Sequence, residues 1–428
     1  MKKHFTKISF LLIIGVIISA CSVDQAEEDG TTEIEFWYGL GSEADEKMQE
    51  IINDFNDEYD DIEVTAVTQE DYDETYEKLQ AAIASDTAPG VFVSEITPLT
   101  DLAQKDAIEP LDEYVEEDEN YDEDDFLDVL LEPGKIDGSL YTIPGYGTTQ
   151  VMYYRKDIYE DEDIDPEKAY SSWENLAKAS KKLQDNGAVD YGHMPIWDQD
   201  NLIDIAFSNG GSILNDDETE VQIDTPEWID AWEFIRKQVH EEETMDINTG
   251  GQGWEYWYKT IDQVMNGKAA GYTGSSGDKG DIDFDKTDSL PQPGLNGNDG
   301  KPQVAGLYMG IPKNISDDEK EAAYEWISYF TSSEVNAEWS KTIGYVPIKE
   351  STTEEDTYTD FIEENPYADV PYQQAQNANP EFVDPTGGEI LDALSIAADK
   401  VEIENIPADE ALKEAQKDAQ EALDEVNE

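Results

Sequence analysis

Two periodic patterns of apolar residues alternate along the N-terminal part of the chain. Apolar and polar residues alternate in 34–38 and 62–67, and a short apolar run occupies 91–93, which predicts three buried strands. Between these segments, apolar residues recur at helical spacing in 43–59 and 72–83. The order strand, helix, strand, helix, strand favours parallel pairing with right-handed crossovers, an α/β fold. Ligands of such sheets bind beyond the carboxyl ends of the strands.

The same two patterns continue through the rest of the chain. Strands are expected at 150–155, 269–274 and 304–311, and helices at 228–239, 254–265, from about Ser316 and after Pro407. The aromatic residues of the 228–239 helix fit its buried face better than a ligand platform. Because single cores stop growing near roughly 250–300 residues, the chain of 428 residues predicts two large lobes.

The N-terminal segment indicates where the protein is located. Residues 1–20 have the layout of a secretory signal peptide, with three lysines followed by an uncharged apolar run. The run ends in Ile18-Ser19-Ala20-Cys21, which resembles a bacterial lipobox, and Cys21 is the only cysteine. Residues 21–33 are polar and are expected to form a flexible tether. We therefore expect a protein anchored by a lipid on Cys21 to the extracellular face of the cell membrane.

Net charge excludes several kinds of partner. The chain has 102 Asp and Glu against 27 Lys and Arg, a formal net charge of −75. So negative a surface repels phosphate backbones and anionic headgroups, which excludes nucleic acid and polybasic membrane attachment. Apolar residues at 38% and aromatic residues at 10% are enough for packed cores. The carboxylate excess favours adaptation to a saline, halophilic environment over a dedicated cation-binding role.

No catalytic, cofactor or metal motif is present in the sequence. It lacks a nucleophile elbow, a phosphate-binding loop and a complete dinucleotide fingerprint. Asp281, Asp283 and Asp285 resemble the start of a calcium loop, but Lys286 and Gln292 replace its turn glycine and bidentate acid. We therefore expect no enzyme activity, no cofactor and no metal site, and whether the acidic loop 278–300 binds a cation stays open.

An ordered set of short segments carries a family resemblance. After the lipobox, the set comprises Phe36-Trp37-Tyr38-Gly39, 76–89, 136–144, Met152-Tyr-Tyr-Arg-Lys-Asp157, 172–177, Asn266-Gly-Lys-Ala-Ala270 and Ile343-Gly-Tyr-Val-Pro-Ile348. Together they resemble family 1 extracellular solute-binding proteins, the carbohydrate-binding lipoproteins of ABC importers. The similarity runs in order across nearly the whole mature chain.

The resemblance implies a fold and a division of the chain. The fold would be two-lobed and type II periplasmic-binding-protein-like, each lobe a mixed, mostly parallel sheet flanked by helices. Lobe 1 would comprise 34–143 and 301–342, and lobe 2 would comprise 144–300 and 346–428. The lobes would close by hinge motion over a ligand in the cleft, without catalysis, and present it to permease subunits.

The resemblance also implies the residues that bind the ligand. Those carried over from the family's motifs are Tyr38, Tyr72 or Tyr76, Glu95, Tyr146, Thr148, Ser275, Ser276, Gly306 and Tyr345. Trp197 and Trp254 lie in loop-rich segments and are candidates for stacking on a sugar ring, although packing on a lobe surface explains them equally well.

The absence of a basic side chain in one segment indicates the charge of the ligand. Within the family, the Ser275-Ser276-Gly277 turn and the Gly-Tyr-Val-Pro segment at 344–347 resemble a subgroup that includes glycerol-3-phosphate and glycerophosphodiester binders, which hold the phosphate with an Arg after the hinge. Residues 382–390 contain no Arg or Lys. We therefore expect a neutral mono- or oligosaccharide, with a glycerol-phosphate receptor as the alternative. A surface glycoside hydrolase and a purely adhesive lipoprotein are the remaining hypotheses.

Overall fold

The computed structural model describes residues 30–136 and 138–427. The predicted signal peptide, Cys21 and most of the tether lie outside the described residues, and the first strand already begins at Thr32. Among the described residues, no helix combines the length and apolar character that a membrane span requires.

Ten strands and seventeen α-helices make up the described structure. The strands are β1 (Thr32–Tyr38), β2 (Ile62–Thr68), β3 (Val91–Ser94), β4 (Lys135–Ile136), β5 (Ser139–Leu140), β6 (Ile143–Arg155), β7 (Gly271–Ser275), β8 (Thr287–Leu290), β9 (Gln303–Gly310) and β10 (Asn379–Pro380). The helices are α1 (Ser42–Glu58), α2 (Tyr72–Ala84), α3 (Ile96–Gln104), α4 (Asp112–Glu117), α5 (Asp128–Leu131), α6 (Lys156–Asp161), α7 (Pro166–Ala169), α8 (Trp173–Asp185), α9 (Gln199–Ser208), α10 (Pro226–His240), α11 (Glu255–Met265), α12 (Asp317–Phe330), α13 (Ser333–Ile343), α14 (Asp356–Glu364), α15 (Val370–Ala375), α16 (Glu389–Glu402) and α17 (Ala408–Asn427). A 3₁₀ helix at Ser276–Asp281 follows β7 directly.

The first lobe is built on the predicted parallel strands. Its sheet has the order β2-β1-β3-β9-β6, in which β1 pairs in parallel with both β2 and β3. Strand β9 returns antiparallel between β3 and β6. Because the carboxyl ends of β1 and β3 lie at one edge, the segments that follow them, at Gly39 and Glu95, reach the same side of the sheet.

One long strand joins the two lobes. The N-terminal half of β6 pairs with β9, with Thr149 opposite Val304, and its C-terminal half pairs with β7, with Gln150 opposite Ser275. Strand β8 pairs with the other edge of the same half of β6. The sheet of the second lobe thus differs from the expected mostly parallel pattern, since its strand pairs are antiparallel. Among the described residues of that lobe, parallel pairing occurs in single-residue bridges such as that between Met194 and Tyr272.

Each lobe has its own aromatic core. In the first, Phe36 of β1, Phe55 of α1 and Trp326 of α12 are fully buried, and the rings of Phe36 and Phe55 lie 5.4 and 5.2 Å from the ring of Trp326, centre to centre. In the second, Trp228 and Trp232 of α10 are fully buried, which places the predicted aromatic stripe of that helix in the core. Burial of each such side chain stabilises the fold by about 1.5–3 kcal/mol.

The C-terminal third of the chain contributes to both cores. Val346 and Ile348 pack in the first core, whereas Ile390 of α16 and Leu412 of α17 pack in the second. The start of the segment 346–428, expected in the second lobe, therefore contributes apolar side chains to the first. The remaining lobe boundaries stay a prediction.

Candidate functional site

A cavity of about 240 Å³ lies between the lobes, at the carboxyl edge of the first sheet. Its walls come from the segments after β1 and β3, the middle of β6, and the 3₁₀ helix after β7. Helix α11 and the start of α9 close it from the second lobe. Strand β6, which runs from one lobe to the other, therefore provides the floor of the cavity, and both lobes provide its walls.

Seven of the twelve predicted ligand-binding residues line this cavity. They are Tyr72, Glu95, Thr148, Trp254, Ser275, Gly306 and Tyr345. The structure brings them together from segments more than 200 residues apart in sequence, because β6 and β9 place both lobes around one floor. The other five residues lie beside or away from the cavity lining.

Two of these five take part in packing of the first lobe. Tyr38 is fully buried, and its hydroxyl donates to Asp45 Oδ1 at 2.9 Å. The hydroxyl of Tyr76 donates to Asp101 Oδ2 at 2.9 Å, and the ring packs against an apolar cluster of the same lobe. Both hydroxyls are thus engaged in bonds within the protein.

Trp197 and Ser276 are held outside the lining by the second lobe. The indole Nε1 of Trp197 donates to Asp399 Oδ1 at 2.8 Å. Ser276 is 1% exposed, and its hydroxyl lies 3.5 Å from Thr148 Oγ1. Their predicted contact with a ligand stays a prediction.

Tyr146 supports the cavity from below. Its buried ring stacks on Tyr345 with centroids 4.7 Å apart, and its hydroxyl lies 3.2 Å from that of Tyr72. Tyr345 in turn lies against the 3₁₀ helix, since a Cβ built on Gly277 would be 2.6 Å from its Cε1 atom. These contacts fix the orientation of two phenol groups that line the cavity.

A pair of hydroxyls bridges β6 and β7 at the floor. Thr148 Oγ1 lies 2.7 Å from Ser275 Oγ, and Ser275 Oγ also accepts from the backbone N–H of Gly277 at 3.0 Å. The site therefore offers two partly buried hydroxyl oxygens at a fixed spacing, which suits hydrogen bonding to a polyhydroxy ligand.

Helix α11 contributes aromatic side chains to the cavity, and two of them were not predicted from the sequence to bind the ligand. Trp254, just before the helix, meets Trp257 edge to face at 5.9 Å, and Tyr258 follows on the same face. Trp257 Nε1 donates to Asp278 Oδ1 at 2.7 Å, which fixes the indole plane. Trp257 and Tyr258 follow Trp254 by three and four residues, and this spacing, which places side chains on one face of a helix, could have identified both.

Acidic side chains also line the cavity, and none of them besides Glu95 was predicted to bind the ligand. Those that line the cavity besides Glu95 are Glu43, Asp198, Asp200, Asp204, Asp278, Asp281 and Glu381. In a chain with 102 acidic residues, no sequence pattern distinguishes these from the solvated ones. These acidic residues are brought to the cavity by the tertiary fold, not by a local sequence pattern.

Enclosure by the lobes changes the acidity of these groups. Burial, together with the charges of Asp200, Asp73 and Asp71, raises the pKa of Glu95 to about 7, although its side chain is open to the cavity. Burial raises the pKa of Asp200 to about 6. Burial also raises the pKa of Asp204 to about 8, even though its carboxylate accepts from the Gln303 N–H at 2.7 Å. At pH 7, Asp204 therefore keeps most of its proton and Glu95 about half, whereas exposed carboxyls are fully ionised.

Among the described residues that line the cavity, none is Lys, Arg or His. The nearby Lys279 points away, since its Nζ donates to Thr342 O at 3.0 Å and lies 4.7 Å from the Phe361 ring centre. Within the described residues there is also no group of three or more side chains arranged to hold a metal ion. The cavity is therefore aromatic and acidic, with hydroxyls at its floor.

Comparison with known proteins finds this chain similar to solute-binding proteins. The chain is 23% identical over 373 residues to the sn-glycerol-3-phosphate-binding periplasmic protein UgpB of Brucella melitensis, covering 82% of each chain. Among solved structures, the GacH receptor of Streptomyces glaucescens matches with a TM-score of 0.82 and 17% identity, over 92% of this chain and 99% of that one.

A second solved structure, UgpB from Mycobacterium tuberculosis in complex with glycerophosphocholine, matches with a TM-score of 0.79 and 20% identity, over 92% and 99% of the two chains. These likenesses confirm the predicted two-lobe α/β fold. The family model for bacterial extracellular solute-binding proteins matches residues 50–366. Since that match covers most of the chain, the protein belongs to the bacterial extracellular solute-binding proteins.

Proposed function

We propose that the protein binds a carbohydrate without negative charge in the cavity between its lobes and delivers it to an ABC importer. The observation that carries this proposal is the lining itself, which combines indole and phenol rings with carboxyls and has no basic side chain among the described residues. Aromatic faces pack on the apolar face of a pyranose, and carboxylates accept hydrogen bonds from its hydroxyls.

Different side chains of the cavity would contact the ring faces and the hydroxyls of the sugar. Trp254 and Tyr345 line the cavity with aromatic rings, while Thr148 of β6 and Ser275 of β7 offer hydroxyls. Glu95 reaches in from the end of β3. Because the residues come from both lobes, a ligand that contacts all of them favours the closed form.

A receptor for glycerol phosphates or glycerophosphodiesters is the second candidate, supported by the ligands in the names of the UgpB relatives. The cavity argues against it, because a phosphate would face carboxylates with no described cationic side chain in the lining. Even the Gly277 N–H is engaged by Ser275 Oγ.

Calorimetric titration with a solute panel tests the two candidates. The panel contains neutral mono- and oligosaccharides, amine-bearing sugars, glycerol-3-phosphate and glycerophosphocholine. We expect saturable heat with sugars that lack phosphate and none with the phosphate compounds. Heat with the phosphate compounds alone would overturn the proposal.

Membrane attachment through Cys21 is part of the same proposal and rests on the lipobox resemblance in the sequence. In a bacterial host, the wild-type protein should fractionate with membranes, and Cys21→Ala should abolish that attachment. Equal fractionation of both proteins would show that Cys21 carries no anchor. We also propose that the protein is not an enzyme, so it should release no chromophore from a panel of nitrophenyl glycosides.

A further inference from the structure

The 3₁₀ helix at Ser276–Asp281 is fixed to the second lobe through Asp278. The Oδ1 atom of Asp278 accepts a hydrogen bond from Trp257 Nε1 at 2.7 Å, and its Oδ2 atom accepts one from the Tyr272 hydroxyl at 3.0 Å. Trp257 lies in α11 and Tyr272 in β7, and both side chains pack in one apolar cluster of the second lobe. The 3₁₀ helix is therefore expected to move with the second lobe when the lobes rotate against each other.

The same 3₁₀ helix packs directly on the C-terminus of α13 in the first lobe. Helix α13 places Trp339 and Ile343 in the first core, and the helix is followed by Gly344, which has a φ of 99°. A Cβ built on Gly344 would lie 2.4 Å from Ser276 O and 2.7 Å from Lys279 Cβ. The two elements thus approach so closely that residue 344 has no room for a side chain.

Lys279 bonds the carbonyl groups at this end of α13. The last carbonyls of an α-helix have no partner within the helix. Those of Lys341 and Thr342 accept hydrogen bonds from Lys279 Nζ, the second at 3.0 Å. The ammonium also lies 4.7 Å from the ring centre of Phe361 in α14, a helix that packs on α13. A cation at the negative end of the helix dipole is stabilising, so the contact is favourable on both counts.

This contact connects the two lobes without involving the ligand. Lys279 belongs to the 3₁₀ helix that the second lobe holds, whereas its acceptors belong to a helix of the first core. A rotation that moves the 3₁₀ helix away from α13 has to break both hydrogen bonds. No lysine is found among the described residues that line the cavity, so Lys279 stabilises the arrangement of the walls and does not contact the solute.

We propose that Lys279 is a positioning residue of the proposed receptor, which stabilises the closed arrangement of the lobes by bonding the C-terminus of α13. We call this contact the latch. Because all its atoms belong to the protein, the latch forms with and without a ligand. It therefore shifts the balance between open and closed forms, and it strengthens the binding of every ligand by the same factor.

Small-angle X-ray scattering of the ligand-free protein tests the latch. Lys279→Met keeps the length and the apolar stem of the side chain but removes its charge and donors. Its radius of gyration should exceed that of the wild type, because the closed form becomes less populated. Lys341→Met, the matched control, removes the same charge from α13, where the ammonium pairs with Glu338 of the same helix. It should leave the radius unchanged.

Titration calorimetry tests the effect of the latch on binding. Lys279→Met should weaken the binding of every sugar that the wild type binds by one common factor of about 3- to 30-fold, as expected for a partly buried cation at a helix C-terminus. Lys341→Met should change these affinities by less than about two-fold. At pH 7 the latch is charged in the wild type, since burial lowers the pKa of Lys279 only to about 8.

The outcomes separate the latch from the proposed receptor function. Equal radii of gyration for Lys279→Met and the wild type overturn the latch. A larger radius with unchanged affinities shows that the contact has no part in binding, and losses that differ from sugar to sugar show that Lys279 contacts the ligand; either result overturns the inference. If no sugar binds to the wild type, the carbohydrate receptor proposal fails, and the scattering comparison alone decides the latch.

Discussion

A glycine of the first lobe lies at the cavity against a tyrosine of the second. Gly41 precedes α1 in the first lobe, and a Cβ built on it would lie 2.6 Å from the Tyr258 hydroxyl oxygen of α11 in the second. Gly41→Ala should therefore hinder closure. Overpacking of this kind costs about 1–3 kcal/mol. Tyr258 is 37% exposed and the contact is with the far end of its side chain, so we expect the lower half of that range, about 1–2 kcal/mol.

A loss of about 1.4 kcal/mol corresponds to a ten-fold weaker affinity. Titration calorimetry with the tightest-binding sugar of the panel should therefore show Gly41→Ala weakening binding by about 5- to 30-fold. Without the hydroxyl oxygen, the nearest Tyr258 atom to the new Cβ is Cζ at 3.9 Å, an ordinary contact. In a Tyr258→Phe background, the same substitution should thus cost less than about two-fold.

This double-mutant cycle isolates the steric contact between Gly41 and Tyr258. Alanine is a poorer N-cap than glycine, but that loss is present in both backgrounds and cancels. A contact of Tyr258 with the ligand also cancels. Gly30→Ala, at a position where a Cβ meets no atom within 4 Å, controls for the substitution itself. If Gly41→Ala weakens binding equally in both backgrounds, the steric account of closure is refuted.

Three further predictions concern stability. Burial raises the pKa of Asp204 to about 8 from its unfolded value near 3.9, so its stabilising contribution is present below about pH 4 and is lost as the pH rises towards 8. The unfolding free energy of Asp204→Asn, measured with denaturant, should therefore vary less between about pH 4 and 8 than that of the wild type. Parallel pH profiles of the two proteins would contradict this role of Asp204. Tyr345→Ala should lower the unfolding free energy by about 2–4 kcal/mol through lost stacking on Tyr146, whereas Tyr345→Phe should lose under about 1 kcal/mol; equal losses would rule out the stacking role. Since the net charge is −75, the melting temperature should rise between about 0.1 M and 2 M NaCl, and a flat response would show that self-repulsion is negligible.

The strands and helices of the first lobe were predictable because their hydrophobic periodicity in the sequence matches the elements that the tertiary structure buries. The alternation at 34–38 and the apolar run at 91–93 became β1 and β3, and their parallel pairing followed from the helix between successive strands. The path of β6 was not predictable. Only its second half was recognised as a strand, since Gly145 and Gly147 interrupt the apolar pattern of the half that pairs with β9.

The site was predictable only where a residue type is rare or a motif is local. Trp254 and the Gly-Tyr-Val-Pro segment with Tyr345 stood out in this way, and both line the cavity. Asp200 and Glu381 did not, because acidic residues occur throughout the chain and nothing local separates a cavity wall from a solvated surface. Their convergence is a property of the two-lobe arrangement.

A crystal structure of the protein grown with the tightest-binding sugar of the panel tests the central claim most directly. The account predicts the sugar between the lobes, with a ring face against Trp254 or Tyr345 and a donor within hydrogen-bond distance of Glu95 or Glu381. A sugar bound outside this cavity, or bound inside it without contact to either carboxyl, would contradict the account.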